Sequence, residues 1–398
     1  MNSVRKTSRA TRSGALALLA AAGITAGASA EYSVIDLGTL GGPTAAGFAV
    51  NDFGRVAGMS TRMDANVRGF LWDDGLTEVA PLAGDQQSAA LGVTDGDLVV
   101  GMSYDLGELN VHGFAWQAGS ATPLGNFAPR GVSDNGLIVG YVTVSDSSYG
   151  WVDHAARYVG GTLFDMGTLG GSFSYAYDAT SDGRIVGASA VASDAAQFAF
   201  LWQAGAFHNL GTLGGLNSQA YAINEAGDVV GWAQTAGGVS HAFLFTTDAA
   251  GNVVTRTNLG ELGGGYSYAY GVNAQQQVVG TSDGRAFLWE NGAMQDLNSL
   301  ISPAAGWTLE AAWDINDAGW IVGVGQHRGF PHAFLLAPND CPDLDGDGDV
   351  DLADLSALLT NYGMPGGASF EDGDLDADGD VDIADLSALL TAFGTMCP

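Results

Sequence analysis

A block of ten residues, written small–apolar–polar–polar–x–Gly–x–apolar–apolar–Gly, recurs seven times along this chain. It reads AVNDFGRVAG at 49–58, GVTDGDLVVG at 92–101, GVSDNGLIVG at 131–140 and DATSDGRIVG at 178–187. It returns as AINEAGDVVG at 222–231, GVNAQQQVVG at 271–280 and DINDAGWIVG at 314–323, the copies standing 39 to 49 residues apart. Repetition at such a period means that each unit is one supersecondary element that buries its apolar face only against its neighbours. Within a block, Asn, Asp and Gly tolerate left-handed backbone and β-branched residues follow them, so the block reads as two strands around a tight turn.

A third strand follows, with the sense small–Phe–x–Trp: GFLW at 69–72, GFAW at 113–116, AFLW at 199–202, HAFLF at 241–245, AFLW at 286–289 and HAFLL at 332–336. The third unit carries a degraded version near Ala156 and Tyr158. A fourth strand ends in Asp/Asn–Leu–Gly or a near variant, as in FDMGTLGG at 164–171 and HNLGTLGG at 208–215. Four short strands per unit of about 44 residues is the pattern of a propeller blade. The first strand, Tyr32 to Leu37, has a fourth-strand sequence with nothing before it, and the seventh unit stops after three strands at Leu336. Donation of that first strand would complete the last blade and close the ring, removing exposed sheet edges. The expected fold is therefore mainly β, a seven-bladed propeller; a β-solenoid is the competitor, though its rungs are usually shorter.

The repeats resemble the HAF family of extracellular repeats, through His241-Ala242-Phe243, His332-Ala333-Phe334 and the DLGTLGG segment at 36–42. The resemblance covers about 300 residues, implies an extracellular setting and carries no agreed chemistry. No HExxH or GxSxG motif occurs. His112, His241 and His332 occupy equivalent strand positions, which assigns them to the repeat, with His154, His208 and His327 scattered. The Asn51-Asp52, Ser133-Asp134 and Asn316-Asp317 pairs read as turn chemistry. Trp72, Trp116, Trp202 and Trp289 recur with the strand period and read as blade core. Trp151, Trp232, Trp307 and Trp320 do not recur and are the candidates for a carbohydrate-stacking face.

The tail differs in kind. DLDGDGDVDLADLSALLTNYG from Asp343 and DLDADGDVDIADLSALLTAFG from Asp374 repeat at 31 residues. Each begins with a twelve-residue loop of EF-hand type, in which oxygens at positions 1, 3, 5, 7, 9 and 12 wrap one calcium ion and Gly takes the turn at position 6. The candidate ligands are Asp343, Asp345, Asp347, Asp349, Asp351 and Asp354, around Gly348, in the first loop. In the second they are Asp374, Asp376, Asp378, Asp380, Asp382 and Asp385, around Gly379. Position 8 is apolar in both, Val350 and Val381, which a merely acidic loop would not require. Two Ca2+ ions are expected.

Neither loop has an entering helix, position 12 is Asp rather than Glu, and one amphipathic helix leaves each loop, at 352–362 and 383–393. In this the segment 341–398 resembles type I dockerins. That resemblance implies a module folded around two calcium ions that plugs into a cohesin domain of another extracellular protein. Loop positions 10 and 11, here Leu352-Ala353 and Ile383-Ala384, are the partner-facing residues it implies. They are apolar where familiar dockerins often carry hydroxyls, which leaves the cohesin class open.

The remaining features set the location. Arg5, Lys6, Arg9 and Arg12 precede an apolar run, 15–24, and Ala28-Ser29-Ala30, the pattern of a secretory signal peptide cut near Ala30; an anchored helix is the alternative reading. Its removal takes the formal net charge from −31 to −35 and leaves nine arginines and no lysine. Such a surface argues against nucleic acid and anionic membranes as partners. Cys341 and Cys397 bracket the tail; a disulfide between them is expected outside the cytoplasm, two free thiols being the alternative.

The expected organisation is a signal peptide over 1–30, a propeller over 31–339 and a calcium module over 340–398. The leading functional expectation is a secreted, non-catalytic propeller that binds polysaccharide and is docked through its tail. A dockerin-borne glycoside hydrolase or lyase, and a surface adhesin using calcium only for rigidity, are the rivals. An acid pair converging in the propeller mouth would favour the enzyme, and an exposed aromatic strip the binder.

Overall fold

The computed structural model describes residues 32–105, 111–338, 342–345, 349–366, 368, 372–375 and 380–394. The expected signal peptide over 1–30, Cys341, Cys397, Asp347, Asp376, Asp378, Gly348 and Gly379 lie outside them. Seven four-stranded antiparallel sheets make a β-propeller. Blades 1 to 6 are each built from four consecutive strands, over 41–79, 87–123, 127–167, 170–211, 214–260 and 267–296. Blade 7 takes its three inner strands from 307–338 and its outermost from Tyr32–Asp36, paired in register from Tyr32 opposite Pro338 to Asp36 opposite Phe334. The expected closure is therefore the observed one, and the solenoid is excluded. The first strand of every blade is innermost, and these seven strands neighbour one another around the ring.

The repeat pattern now has a physical cause at each position. Every innermost strand carries a register irregularity at one equivalent residue, the one just before the ten-residue block: Phe48, Leu91, Arg130, Tyr177, Tyr221, Tyr270 and Trp313. A bulge leaves that residue unpaired and re-aims its side chain. The bulge also brings a carbonyl toward the next strand. A Cβ on the last Gly of the block would stand 1.9 Å from the Tyr175 carbonyl oxygen at Gly187, and 2.0 Å from that of Tyr268 at Gly280. On several blades the third-strand Phe closes the other side, as Phe200 does at Gly187. These Phe residues, 70, 114, 200, 243, 287 and 334, are fully buried. The first position of the block is small because the next blade's backbone approaches there, as the Tyr177 carbonyl does at Gly131.

Trp116 is buried, and Trp72, Trp202 and Trp289 pack half-buried against clusters that span adjacent blades, as the strand period implied. The polar turn residues do more than shape turns. The Asn316 carboxamide accepts from the Trp320 amide of its own turn at 2.8 Å and donates to the Asn51 carbonyl of blade 1 at 2.9 Å. Asn51, Asn224 and Asn273 likewise donate to the next blade. Two HAF-position histidines bind a side chain of their blade's fourth strand, His332 with Asp36 and His241 with Asn258, both at 3.0 Å, while His112 binds Asp85, in the loop that enters its blade, at 3.0 Å. His154 pairs with Asp165 at 3.1 Å. That is the repeat role expected of them.

In the tail, α1 (Leu352–Asn361) and α2 (Ile383–Ala392) follow the two acidic segments. Among the described residues no helix is long and apolar enough to cross a membrane.

Candidate functional site

In the tail, the closing Asp of each loop is the organising group. Asp354 is fully buried; one oxygen accepts the Leu344 amide at 2.6 Å and the Asp345 amide at 3.2 Å, the other the Asp351 amide at 2.7 Å. Asp385 repeats this with the Leu375 amide at 2.6 Å and the Asp382 amide at 2.7 Å. Asp351 and Asp382 cap their helices, each accepting the amide two residues on, and with Asp354 and Asp385 complete two capping boxes. Carboxylates thus gather where the positive end of each helix favours negative charge.

The described part of the first loop brings Asp343, Asp345 and Asp354 together, and also Asp349, Asp351 and Asp354; the second brings Asp380, Asp382 and Asp385. Within each group one ligand oxygen per residue lies within 4.8 Å of the others, close enough to hold one metal ion. Asp374 lies on the same loop, buried. The donors are all hard oxygens, and no Lys or Arg follows Arg328 to neutralise them. The set fits a hard divalent cation.

The position-8 residues explain themselves by what they cross-link. Val350 and Val381 are buried with Leu358 and Leu389. The Val381 carbonyl accepts the Gly363 amide at the end of α1, and the Val350 carbonyl accepts the Gly394 amide at the end of α2, both at 2.7 Å. Each loop is therefore pinned by the other half's helix. The expected partner-facing residues stand outside this core: Leu352 is 71% exposed and Ile383 64%, with Ala353 and Ala384 exposed beside them. Leu359 with Tyr362, and Leu390 with Phe393, extend the apolar surface of each helix in the same spacing.

On the propeller, the bulge residues make a chain of rings around the innermost wall. Tyr177 meets Tyr221 (5.3 Å between centroids), Tyr221 meets Tyr270 (5.1 Å), Tyr270 meets Trp313 (4.5 Å) and Trp313 meets Phe48 (6.2 Å). Burial pushes the Tyr270 hydroxyl up to about 12 and that of Tyr221 higher still, so both remain protonated, neutral donors. Sequence reading missed this ring; its one signal was the large residue before each block.

At the lower mouth, where the tight turns lie, the Asp52 amide donates to Asp95, that of Asp95 to Asp134, that of Asp317 back to Asp52, and that of Ser181 to Glu225. Burial and then its acidic neighbours hold the Asp52 carboxyl above its ordinary value.

Two carboxylates deeper in the wall are pushed further, both by burial: Asp178 to about 6 and Asp314 to about 7. They occupy the first position of their blocks, where the other five copies carry Gly or Ala. Asp314 accepts the Val50 amide of blade 1 at 3.0 Å and its neighbour Ile315 at 2.9 Å. Asp178 accepts the Ile223 amide of blade 5 at 2.9 Å and Ala179 at 2.8 Å. One oxygen of each acid crosses the blade seam and the other accepts the next amide of its own blade, which is a structural task and not that of a free acid–base pair.

The four tryptophans Trp151, Trp232, Trp307 and Trp320 do not form one face. Trp151 is 78% exposed on a blade 3 hairpin. Trp307 stacks on His327 at 4.6 Å and packs, like Trp320, against a core cluster. Trp320 also lines a recess beside the tight turns with Asp52, Arg55 and Asp317, and Trp232 lines one with polar company between blades 4 and 5.

No family model matches the chain, and no curated protein matches it. Among solved structures it is similar to the WD40 β-propeller domain of Doa1, at 17% identity over 76% of this chain and 97% of that one, with a TM-score of 0.46. It is similar also to streptogramin B lyase, at 14% identity over 77% and 98% with a TM-score of 0.48. A third is puromycin hydrolase, at 15% over 75% and 52%, also 0.48. Such likeness concerns fold alone, and the blade count rests on the sheets themselves. The molecule is a seven-bladed β-propeller carrying a C-terminal pair of acidic loops and helices.

Proposed function

We propose that the chain is an exported calcium-binding protein whose dockerin-like tail docks a cohesin-type domain of another extracellular protein, while the propeller is a non-catalytic platform for polysaccharide. The observation that carries this is the pairing, twice over, of a gathered set of carboxylates with an exposed aliphatic residue one turn away. Asp343, Asp345, Asp349, Asp351 and Asp354 would hold one ion, and Asp374, Asp380, Asp382 and Asp385 the other. Asp347, Asp376 and Asp378 complete the two sets by sequence. A bound divalent ion supplies the charge that allows so many acids to share one small module; the loops and helices then hold Leu352 and Ile383 out as anchors for a partner. The leader at 1–30 supports export, and a bridge between Cys341 and Cys397 would clasp the ends of the module.

For the propeller, binding is favoured over a hydrolase or lyase by the fate of its acids. Asp178 and Asp314 are committed to backbone amides, whereas the rings of blades 4 to 7 remain half-accessible. The test immobilises the mature chain and passes type I cohesin domains over it in calcium and in EGTA. Binding in calcium, lost in EGTA and in the Leu352→Lys/Ile383→Lys double variant, is the expected outcome. Binding indifferent to chelation would contradict it.

A further inference from the structure

The upper half of the propeller's inner wall, away from the tight turns, is lopsided. Two residues before the bulge, blades 1, 2 and 3 carry Ala46, Ala89 and Ala128, and blade 7 carries Ala311. Blades 4, 5 and 6 carry Tyr175, Gln219 and Tyr268 at that register. Further rings join on the same side. Phe173 meets Tyr175 (5.8 Å), Trp232 meets Tyr268 (5.9 Å) and Tyr266 meets Tyr268 (5.4 Å). None of these rings is fully buried, and Tyr266 is 45% exposed. Bulky aromatics on one side and methyl groups on the other are not what seven equivalent blades need for packing.

Between blades 4 and 5 this wall opens into a recess of about 420 Å3, lined by Phe173, Asp194, Gln197, Asn217 and Trp232 over Ala195 and Ala196. That volume falls within the range of small-ligand sites. Its groups are held in place before any ligand arrives. The Trp232 ring packs edge-on against Tyr268. The Asn217 carboxamide accepts the Gln197 amide at 3.0 Å and donates to Gln234 at 3.3 Å, and the Gln197 carboxamide donates to Gln219 at 3.1 Å. Asp194 accepts the Ser172 amide at 2.7 Å from a loop in which Ser193 and Asp194 both sit in the left-handed region, at φ +65° and +52°. Two consecutive non-glycine residues there are costly and persist where the surroundings impose them, which marks sites more often than scaffolding.

We propose that this recess is a binding site for a neutral oligosaccharide, a proposal that rests on the propeller being a polysaccharide platform. Phe173 and Trp232 offer faces for the apolar C–H side of a sugar ring. Carboxamides both donate and accept, as vicinal hydroxyls do. The single charge is an acid in a chain of net charge −31, with no Arg or Lys in the lining, so uronates and sulfated glycans are repelled. A quaternary ammonium ion would use the rings and Asp194 but leave the amide donors unanswered.

Titration calorimetry of the mature chain with cellohexaose, laminarihexaose, xylohexaose and mannohexaose tests this, with hexagalacturonate and tetramethylammonium as contrasts. At least one neutral hexasaccharide should bind, Trp232→Ala should weaken it tenfold or more, and the exposed Trp151→Ala should leave it unchanged. Phe173→Ala gives the same reading should Trp232→Ala fail to fold, since Phe173 belongs to no core cluster. Equal affinity in wild type and both recess variants would overturn the site while sparing the platform. No neutral ligand at all would overturn both, and tetramethylammonium binding lost in Trp232→Ala would overturn the ligand class.

Discussion

The propeller and the tail are both built by repetition, yet the repeated residues do opposite jobs in the two. In the propeller, what recurs holds blades together: the block-ending Gly, the turn Asn, the buried Phe and the His–Asp pair. What fails to recur, such as Trp232 and the left-handed Ser193-Asp194 loop, is what shapes a recess. In the tail, the recurring residues are themselves the proposed chemistry: Asp351, Asp354, Asp382 and Asp385 hold the backbone and stand among the acids that could hold an ion. A ring of seven has stability to spare across its seams; a pair of short helices around one small core does not, and depends on what its acids gather.

That contrast can be broken most severely at the block-ending glycines. Gly187→Ala places a methyl against the Tyr175 carbonyl and the Phe200 ring, and should cost about 3 kcal/mol in urea unfolding. Gly205→Ala, at a hairpin turn with φ +89° and open space, should cost about 1 kcal/mol. Equal costs would mean that the repeated Gly is a turn device and no more.

Calcium removal comes next. At a hundredfold excess over its dissociation constant, an ion stabilises its own module by about 2.7 kcal/mol. EGTA should therefore lower the melting of the tail and leave that of the propeller in place. Asp343→Asn with Asp374→Asn should reproduce it. A propeller transition that moves with chelation would contradict the separation.

Much of this was legible because it recurs within one chain. Blade number, strand order, closure by Tyr32–Asp36 and the exiting helices follow from spacing and turn chemistry. The bulges were not legible: a bulge is an offset of backbone pairing, and the residue it frees ranges from Leu91 to Arg130 to Trp313. Nor were the links from Asn316 to Asn51 and from Asp314 to Val50, which join residues more than 260 positions apart. The dual use of Asp354 and Asp385 was half legible, their place at loop position 12 being read and their capping role missed.

A smaller effect comes from Asn316→Ala, which removes a buried link between blades 7 and 1 and should cost about 2 kcal/mol. The last is a pH effect. Asp314 and Asp178, at about 7 and about 6 against an ordinary 3.8, bind more protons folded than unfolded across that window. Their contribution is therefore present at low pH and lost as pH rises through 6 and 7. Thermal stability should decline from pH 5 to 8, and Asp314→Ala, the residue blades 1 and 5 already carry, should flatten the decline.

Hydrogen–deuterium exchange on the full mature chain, with calcium and with EGTA, puts the contrast to its most direct test. Calcium should slow exchange over residues 343–394 and leave the blades unchanged. Unchanged exchange in the tail, or protection gained across the blades instead, would contradict an account in which the ion builds the tail and the repeats build the ring.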